Sequence, residues 1–274
     1  MGKLKYLGRR FGGLNSDQLT FLYKTNIRPI FEYGAPVLLS TSKTFKKKIE
    51  SIQHQFLSRC IGIDYRANDR ACRIYCNTIP IIERLTALSI SFFAKLKRTN
   101  QPTYIKIANN KNATFSQKKT GCHWAEVKRA EWGLKEDALH SKTITNILKK
   151  MHRKEWVCGP SSHPDELPLR LYLPIRNKLP RRWETAINGT LFGLLRTKYL
   201  LFKRKISVSN ICDKCDTKDS SLHKIFRCKT LADVREELLS CRSIENDVAA
   251  IFCAKFPEEI ARLVGTWWRR VGKA

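Results

Sequence analysis

With 274 residues and 42% hydrophobic content, the chain can bury one large core or two to three small ones, which excludes a disordered basic tail. Its 52 Lys and Arg stand against 24 Asp and Glu, a formal net charge of +28. Cations spread along the whole length call for polyanionic partners, RNA or DNA ahead of an anionic membrane surface.

Residues 1–13 are basic but have no apolar run, which excludes a secretory signal and leaves a mitochondrial presequence as a minor option. Asn15 or Ser16 can cap a first helix to about Ile27, with Leu19, Leu22, Tyr23 and Ile27 on one face. Pro29 is expected to interrupt it, and Gly34-Ala35-Pro36 to break the chain again. A second helix is predicted over 44–61. Its apolar stripe is Phe45, Ile49, Ile52, Phe56 and Cys60, with Lys46, Lys47, Lys48 and Arg59 on the other face. A third is predicted over 80–97, with Pro80 at its start and Ile81, Leu85, Leu88, Phe92 and Leu96 facing inward.

Residues 98–120 are polar and read as a linker. Helical patterns resume over 123–137 and 141–156, the latter with Ile144, Leu148 and Met151 in a stripe. Five prolines make 158–180 extended or irregular. Further helices are expected over 181–198, 230–240 and 245–272. The fold class is mainly α, divided as a helical domain (1–97), linker (98–120), helical region (121–205), small metal module (206–240) and C-terminal helix (241–274). No membrane span is expected, because the best apolar stretches are broken by Glu83 and Arg84, and by Arg196 and Lys198.

The metal module is read from Cys212-x2-Cys215-x7-His223-x4-Cys228. Two cysteines separated by two residues can bind one ion from a single turn, and a His and a third Cys complete a tetrahedron. Thiolate and imidazole suit zinc, and four protein ligands make the site structural, with no position left for a reacting water. A redox role for the CxxC lacks a surrounding βαβ pattern. Lys203, Arg204, Lys205, Lys224, Arg227 and Lys229 surround the motif, and Phe226 lies inside it. In such a module cations track phosphates; Phe226 could stack on a base or pack over the metal site. Trp267-Trp268-Arg269-Arg270 offers a similar choice, with at least one Trp expected in the core. The other seven of the ten cysteines are scattered, which points to free thiols in a reducing compartment, nuclear or cytoplasmic. Cys122 and His123 with Cys158 are a weaker second metal option.

Several stretches also resemble a known family. Tyr23-Lys24-Thr25-Asn26-Ile27-Arg28-Pro29 through Tyr33-Gly34 resembles the Y-K-x-x-I-R-P-x-x-x-Y-G stretch of non-LTR (LINE-type, jockey-like) retrotransposon reverse transcriptases, found in their thumb and connection region. Ile49 to Gly62 is similar to that family's L-x-x-x-Q-N-x-x-L-R-x-I-x-G helix, with His54-Gln55 where Gln-Asn is usual. Ile79-Pro80-Ile81-Ile82-Glu83 resembles its P-I-x-E segment. Leu194-Leu195-Arg196-Thr197 ahead of the Cys/His motif resembles its L-R-T-G-H block, with Lys198 in place of the Gly and no His after it. The matching blocks cover 1–97 and 181–240.

The resemblance implies a thumb that grips a template–primer duplex through phosphates, with Lys24, Arg28, Lys46, Lys47, Lys48 and Arg59 as contacts, and a zinc knuckle that holds RNA or single-stranded DNA with help from Arg196 and Lys198. The family's polymerase places Mg²⁺ on carboxylates that include an Asp-Asp pair. This chain has no Asp-Asp pair, so no magnesium site and no catalytic residue are expected in it. The chain is therefore expected to be a non-catalytic C-terminal piece of such a polyprotein. Two other readings stay open: a stand-alone or domesticated zinc-dependent RNA-binding protein, and a helical protein-interaction scaffold stapled by zinc.

Overall fold

A computed structural model describes residues 13–38, 41–99, 101–102, 121–135, 140–158, 180–245, 253 and 255–271. The fold is mainly helical, as expected, and the described residues contain no strand beyond one isolated antiparallel bridge between Ile211 and Lys218. Most of the linker (103–120), the proline-rich stretch (159–179) and residues 1–12 lie outside the described residues, as do the side chains of Cys122, His123 and Cys158. The chain forms two compact units, one from described residues within 1–20, 57–76 and 161–274, the other from those within 21–56 and 77–160. No described helix is long and apolar enough to cross a membrane.

Helix α1 (Ser16–Leu22), most of which belongs to the first unit, leads through a π turn (Tyr23–Ile27) into α2 (Arg28–Glu32) of the second. The expected break at Pro29 does not occur. Proline lacks an N–H and its ring crowds the carbonyl four residues back. The π turn before it, in which the Arg28 amide reaches back to the Tyr23 carbonyl, widens the helix there and lets it continue. After α3 (Ala35–Leu38) comes α4 (Lys43–Ile61), close to its predicted span; its last turn, residues 57–61, belongs to the first unit.

Helix α6 (Ile81–Arg98) is the axis of this unit. Ile81 and Leu85 pack with Ala35 and Ile49, while Ala87 and Ile90 pack with Ala125 of α7 (Gly121–Glu131) and with Ile144 and Leu148 of α8 (Ser141–Cys158). Burial on two sides turns the inward arc away from the expected stripe. Phe93 packs on the core, and Phe92 is exposed with its ring against Phe93. Phe45 and Met151, at the ends of their stripes, are exposed as well. The start of α6 is held by α4: buried Gln53 accepts from the Ile81 amide (2.9 Å) and donates to the Ile79 carbonyl (3.0 Å), and Glu50 accepts from the Ile82 amide (3.0 Å). Pro80 supplies no side-chain cap, so these two side chains satisfy amides that a helix start leaves without partners.

The first unit contains α5 (Asp69–Tyr75), which the sequence reading did not foresee, α9 (Arg181–Leu191), α10 (Lys198–Lys203), α11 (Ala232–Leu239) and α12 (Pro257–Val271). The helix expected over 181–198 ends at Leu191, just before Gly193 (φ +64°), and α10 begins only at Lys198. A buried polar network ties this unit together. Glu184 accepts from the Ser16 amide (3.0 Å) and the Tyr75 hydroxyl (3.3 Å) and pairs with Arg181 (3.0 Å). Arg181 donates to the Arg59 carbonyl (3.1 Å), and Asn188 to the Ile61 carbonyl (2.9 Å), so α9 satisfies the last carbonyls of α4. The path between them runs over Gly62 at φ +81°, where an added Cβ would collide with the Thr185 methyl and come within 2.9 Å of Arg181 Nη2.

Gly62→Ala is therefore expected to lower the urea midpoint more than Gly193→Ala. Both glycines have positive φ, a cost of about 1–2 kcal/mol for alanine, but a Cβ on Gly193 meets nothing within 4 Å. Equal losses would show that the close approach at Gly62 carries no energy.

Candidate metal centre

The hairpin that holds the first two cysteines closes on itself. The Cys212 amide donates to the Thr217 carbonyl (2.8 Å) and the Asp216 amide to the Cys212 carbonyl (3.0 Å). Asp216 takes a left-handed conformation (φ +49°), which aspartate tolerates better than most residues. The third and fourth residues come from a second π turn, His223–Arg227, closed by the Cys228 amide on the His223 carbonyl at 2.7 Å. Positions five apart on an ordinary helix of about 3.6 residues per turn point about 140° away from each other. The wider π turn narrows that angle, and the extended backbone of Cys228 (φ −61°, ψ 133°) completes the approach.

The four ligand atoms of Cys212, Cys215, His223 and Cys228 lie within 4.8 Å of one another. Cys228 Sγ is 3.7 Å from Cys212 Sγ and 3.9 Å from Cys215 Sγ. Tetrahedral Zn–S bonds of about 2.3 Å would place two sulfurs about 3.8 Å apart. His223 is buried, its Nδ1 lies 3.2 Å from Thr217 Oγ1, and its Nε2 is buried without a hydrogen-bond partner. This leaves Nε2 as the ligand atom, with Nδ1–H donating to Thr217, the arrangement that fixes a metal-binding imidazole.

Hydrogen bonds also reach the sulfurs. The Lys229 amide lies 3.4 Å from Cys215 Sγ, Thr230 Oγ1 3.3 Å from Cys228 Sγ and Lys224 Nζ 3.6 Å from Cys212 Sγ. Burial pushes the Cys215 thiol up, opposed by the Lys229 amide and reinforced by Cys228. At Cys228 burial also pushes upward, but the bonds to Thr230 and then the Lys224 charge outweigh it and hold the thiol below its ordinary value. Lys224 itself is buried and paired with Asp219 at 2.9 Å. Burial pulls its ammonium down, and the Asp219 pairing and neighbouring thiols more than restore it.

A feature absent from the sequence reading is Arg235. Its side chain is 0% exposed and donates to three carbonyls: Arg242 (2.8 Å), Ile225 (3.1 Å) and Cys228 (2.6 Å). Burial lowers its pKa, and Cys228 and Cys241 oppose that. A guanidinium does not give up its proton, so its charge needs compensation. Three thiolates around a divalent ion would leave one net negative charge, which Arg235, bonded to the Cys228 carbonyl, would help to balance. In sequence it looks like any surface cation of a short helix.

The other nominated residues fall into distinct places. Phe226 is 0% exposed, so of the two expected roles the ring takes packing and not base stacking; the Ile244 amide bonds to its carbonyl (2.8 Å). Lys224 is likewise turned inward. Lys198 pairs with Asp213, Arg204 with Asp64 (3.3 Å) and Arg227 with Glu245 (2.5 Å). Arg196, Lys203, Lys205 and Lys229 are exposed. In the second unit Arg28 pairs with Glu32 (2.7 Å) and Lys24 donates to the Asn77 carbonyl (3.3 Å). Lys47 and Lys48 are exposed, as is Arg59 in the other unit, and burial followed by the Lys128 charge lowers the Lys46 pKa. Trp267 is buried and Trp268 partly exposed, which fulfils the expectation of at least one core Trp. Comparison with family models, curated proteins and solved structures finds no match to this chain.

Arg235→Gln is expected to weaken Zn²⁺ binding by about 10- to 100-fold, the usual effect of removing a group that supports metal ligands. Competition titration with a chromophoric chelator measures it. Unchanged affinity would mean that Arg235 only fills space.

Proposed function

We propose that the chain is a zinc-dependent nucleic-acid-binding segment of a LINE-type retrotransposon reverse transcriptase, which holds template RNA and target DNA and carries out no polymerase chemistry itself. The observation that carries the reading is the Cys₃His cluster, with sulfur spacings that fit a zinc tetrahedron, set among the exposed cations Lys203, Lys205 and Lys229. The resemblance of 23–34, 49–62, 79–83 and 194–197 to family stretches, in the same order ahead of a Cys/His knuckle, supports the placement. Two of these stretches have a physical reason for their composition. The π turn accommodates Pro29, and Gln53 with Glu50 clamps the start of α6.

In this reading the zinc is structural. It gathers Cys212, Cys215, His223 and Cys228 and thereby displays the cations of the module. Phosphate contacts of this kind position a strand without reading its sequence. Lys47, Lys48 and Arg59 extend the phosphate-binding role to α4.

X-ray absorption at the zinc edge is expected to show three sulfurs at about 2.3 Å and one nitrogen at about 2.0–2.1 Å. Binding to single-stranded RNA should weaken with salt, with a slope in log K against log salt of about −0.7 per phosphate contacted, and Cys212→Ser should abolish most of it. Salt-insensitive capture of a protein together with no RNA binding would replace this reading with the scaffold.

A further inference from the structure

Two clefts open on the metal module and share a wall. The smaller, about 350 Å³, is lined by Cys215, His223, Ser220 and the cations Lys218, Arg227 and Lys229. The larger, about 430 Å³, combines a cationic rim of Arg66, Lys203 and Arg204 with an apolar wall that includes Phe192, Leu194 and Tyr199. Ser220 lines both, and Lys218 of the smaller cleft sits with its Nζ 4.0 Å from the centroid of the Tyr199 ring in the larger. Among the described residues, no carboxylate lines either cleft.

The larger cleft is formed as part of the fold. Asp64 accepts from the Arg66 amide (2.9 Å) and the Arg204 guanidinium (3.3 Å), which holds the rim in place. Ser221, on its floor, accepts from the Leu195 amide (3.3 Å). Gly193 leaves the space in front of it open. Cations alone would suit any anion. An apolar wall with a ring beneath the cations suits a ligand that is flat and apolar at one end and anionic at the other. The volume lies in the lower part of the range of about 300–1,000 Å³ typical of small-ligand sites, which admits one nucleotide and excludes a base pair.

We propose that the larger cleft receives a single unstacked nucleotide of a single strand. Its base lies against Tyr199 and Phe192 and its phosphate on Arg66 and Lys203, and the adjoining phosphate runs onto Lys218 and Lys229 of the smaller cleft. This rests on the nucleic-acid reading above and narrows it to single strands with a defined point of base insertion. Single-strand binding through one ring and a cationic track is tolerant of sequence, because every base has a stacking face.

The test uses the zinc-loaded full chain, a short fluorescent single-stranded RNA and the same sequence as a duplex, with Gly193→Asn to fill the cleft, Tyr199→Ala to remove its ring and Lys142→Gln on α8 as a control. Asparagine tolerates positive φ, so the filling variant can keep its fold, and unchanged zinc content checks this. Anisotropy should show preference for the single strand and a loss of about 5- to 100-fold in each cleft variant, the range one stacked base supplies. A 4-thiouridine probe should crosslink to peptides holding Phe192 or Tyr199. Zinc-dependent RNA binding with both cleft variants matching the control, or with crosslinks elsewhere, overturns the cleft and leaves the broader reading standing. Absence of binding to either probe overturns both.

Discussion

Three cysteine sulfurs and an imidazole nitrogen brought inside one tetrahedron are the constraint on which the metal module depends. Thiolates that close repel one another, and burial raises the cost of each charge. A divalent ion held by the four groups would remove that repulsion and make the cluster the anchor of its surroundings. The elements around it follow from this. The His223–Arg227 π turn exists because His223 and Cys228 must face the same point from five residues apart. Thr217 fixes the imidazole, and Thr230 and the Lys229 amide direct hydrogen bonds at sulfur. Helix α12 braces the module from outside, with Arg270 donating to the Thr230 carbonyl (3.1 Å) and pairing with Asp233 (3.0 Å).

Charge is divided by depth. Among the described residues, the buried cations each have a structural counterpart: Lys224 has Asp219, Arg181 has Glu184, and Arg235 has the carbonyls of Arg242, Ile225 and Cys228. Exposed cations among the described residues stand on α4 (Lys47, Lys48, Arg59) and around the metal module (Arg196, Lys203, Lys205, Lys229). In the proposed reading a polyanion would meet these outer charges and leave the inner ones untouched. For that reason the buried Lys224 and Phe226 belong to the machinery that builds the surface.

Much of this was legible in the sequence. Period-3.6 stripes located α4, α6 and α8, because each buries an apolar face, whereas α9 buries Arg181, Glu184 and Asn188 beside Ile187 and Leu191. The metal ligands were legible because chelation demands particular residue types at short spacings. What escaped depends on three-dimensional context. Pro29 reads as a break, and only the π turn before it shows otherwise. Phe45 and Phe92 match the period, but the arc a helix buries is set by its neighbours, and α6 has them on two sides. Short α5 has too few turns for a periodicity signal. Arg235 and Gln53 are polar letters whose roles come from carbonyls and amides that only the fold brings to them.

Hydrogen exchange with and without a metal chelator tests the central claim most directly. The account predicts that chelation strips protection from the amides of Cys212, Asp216, Cys228 and Lys229, while the α6 amides that Gln53 and Glu50 hold keep theirs. Protection over 212–229 that survives complete metal removal would contradict it, because the module would then be held by its packing and the four residues would be neighbours without a shared ion.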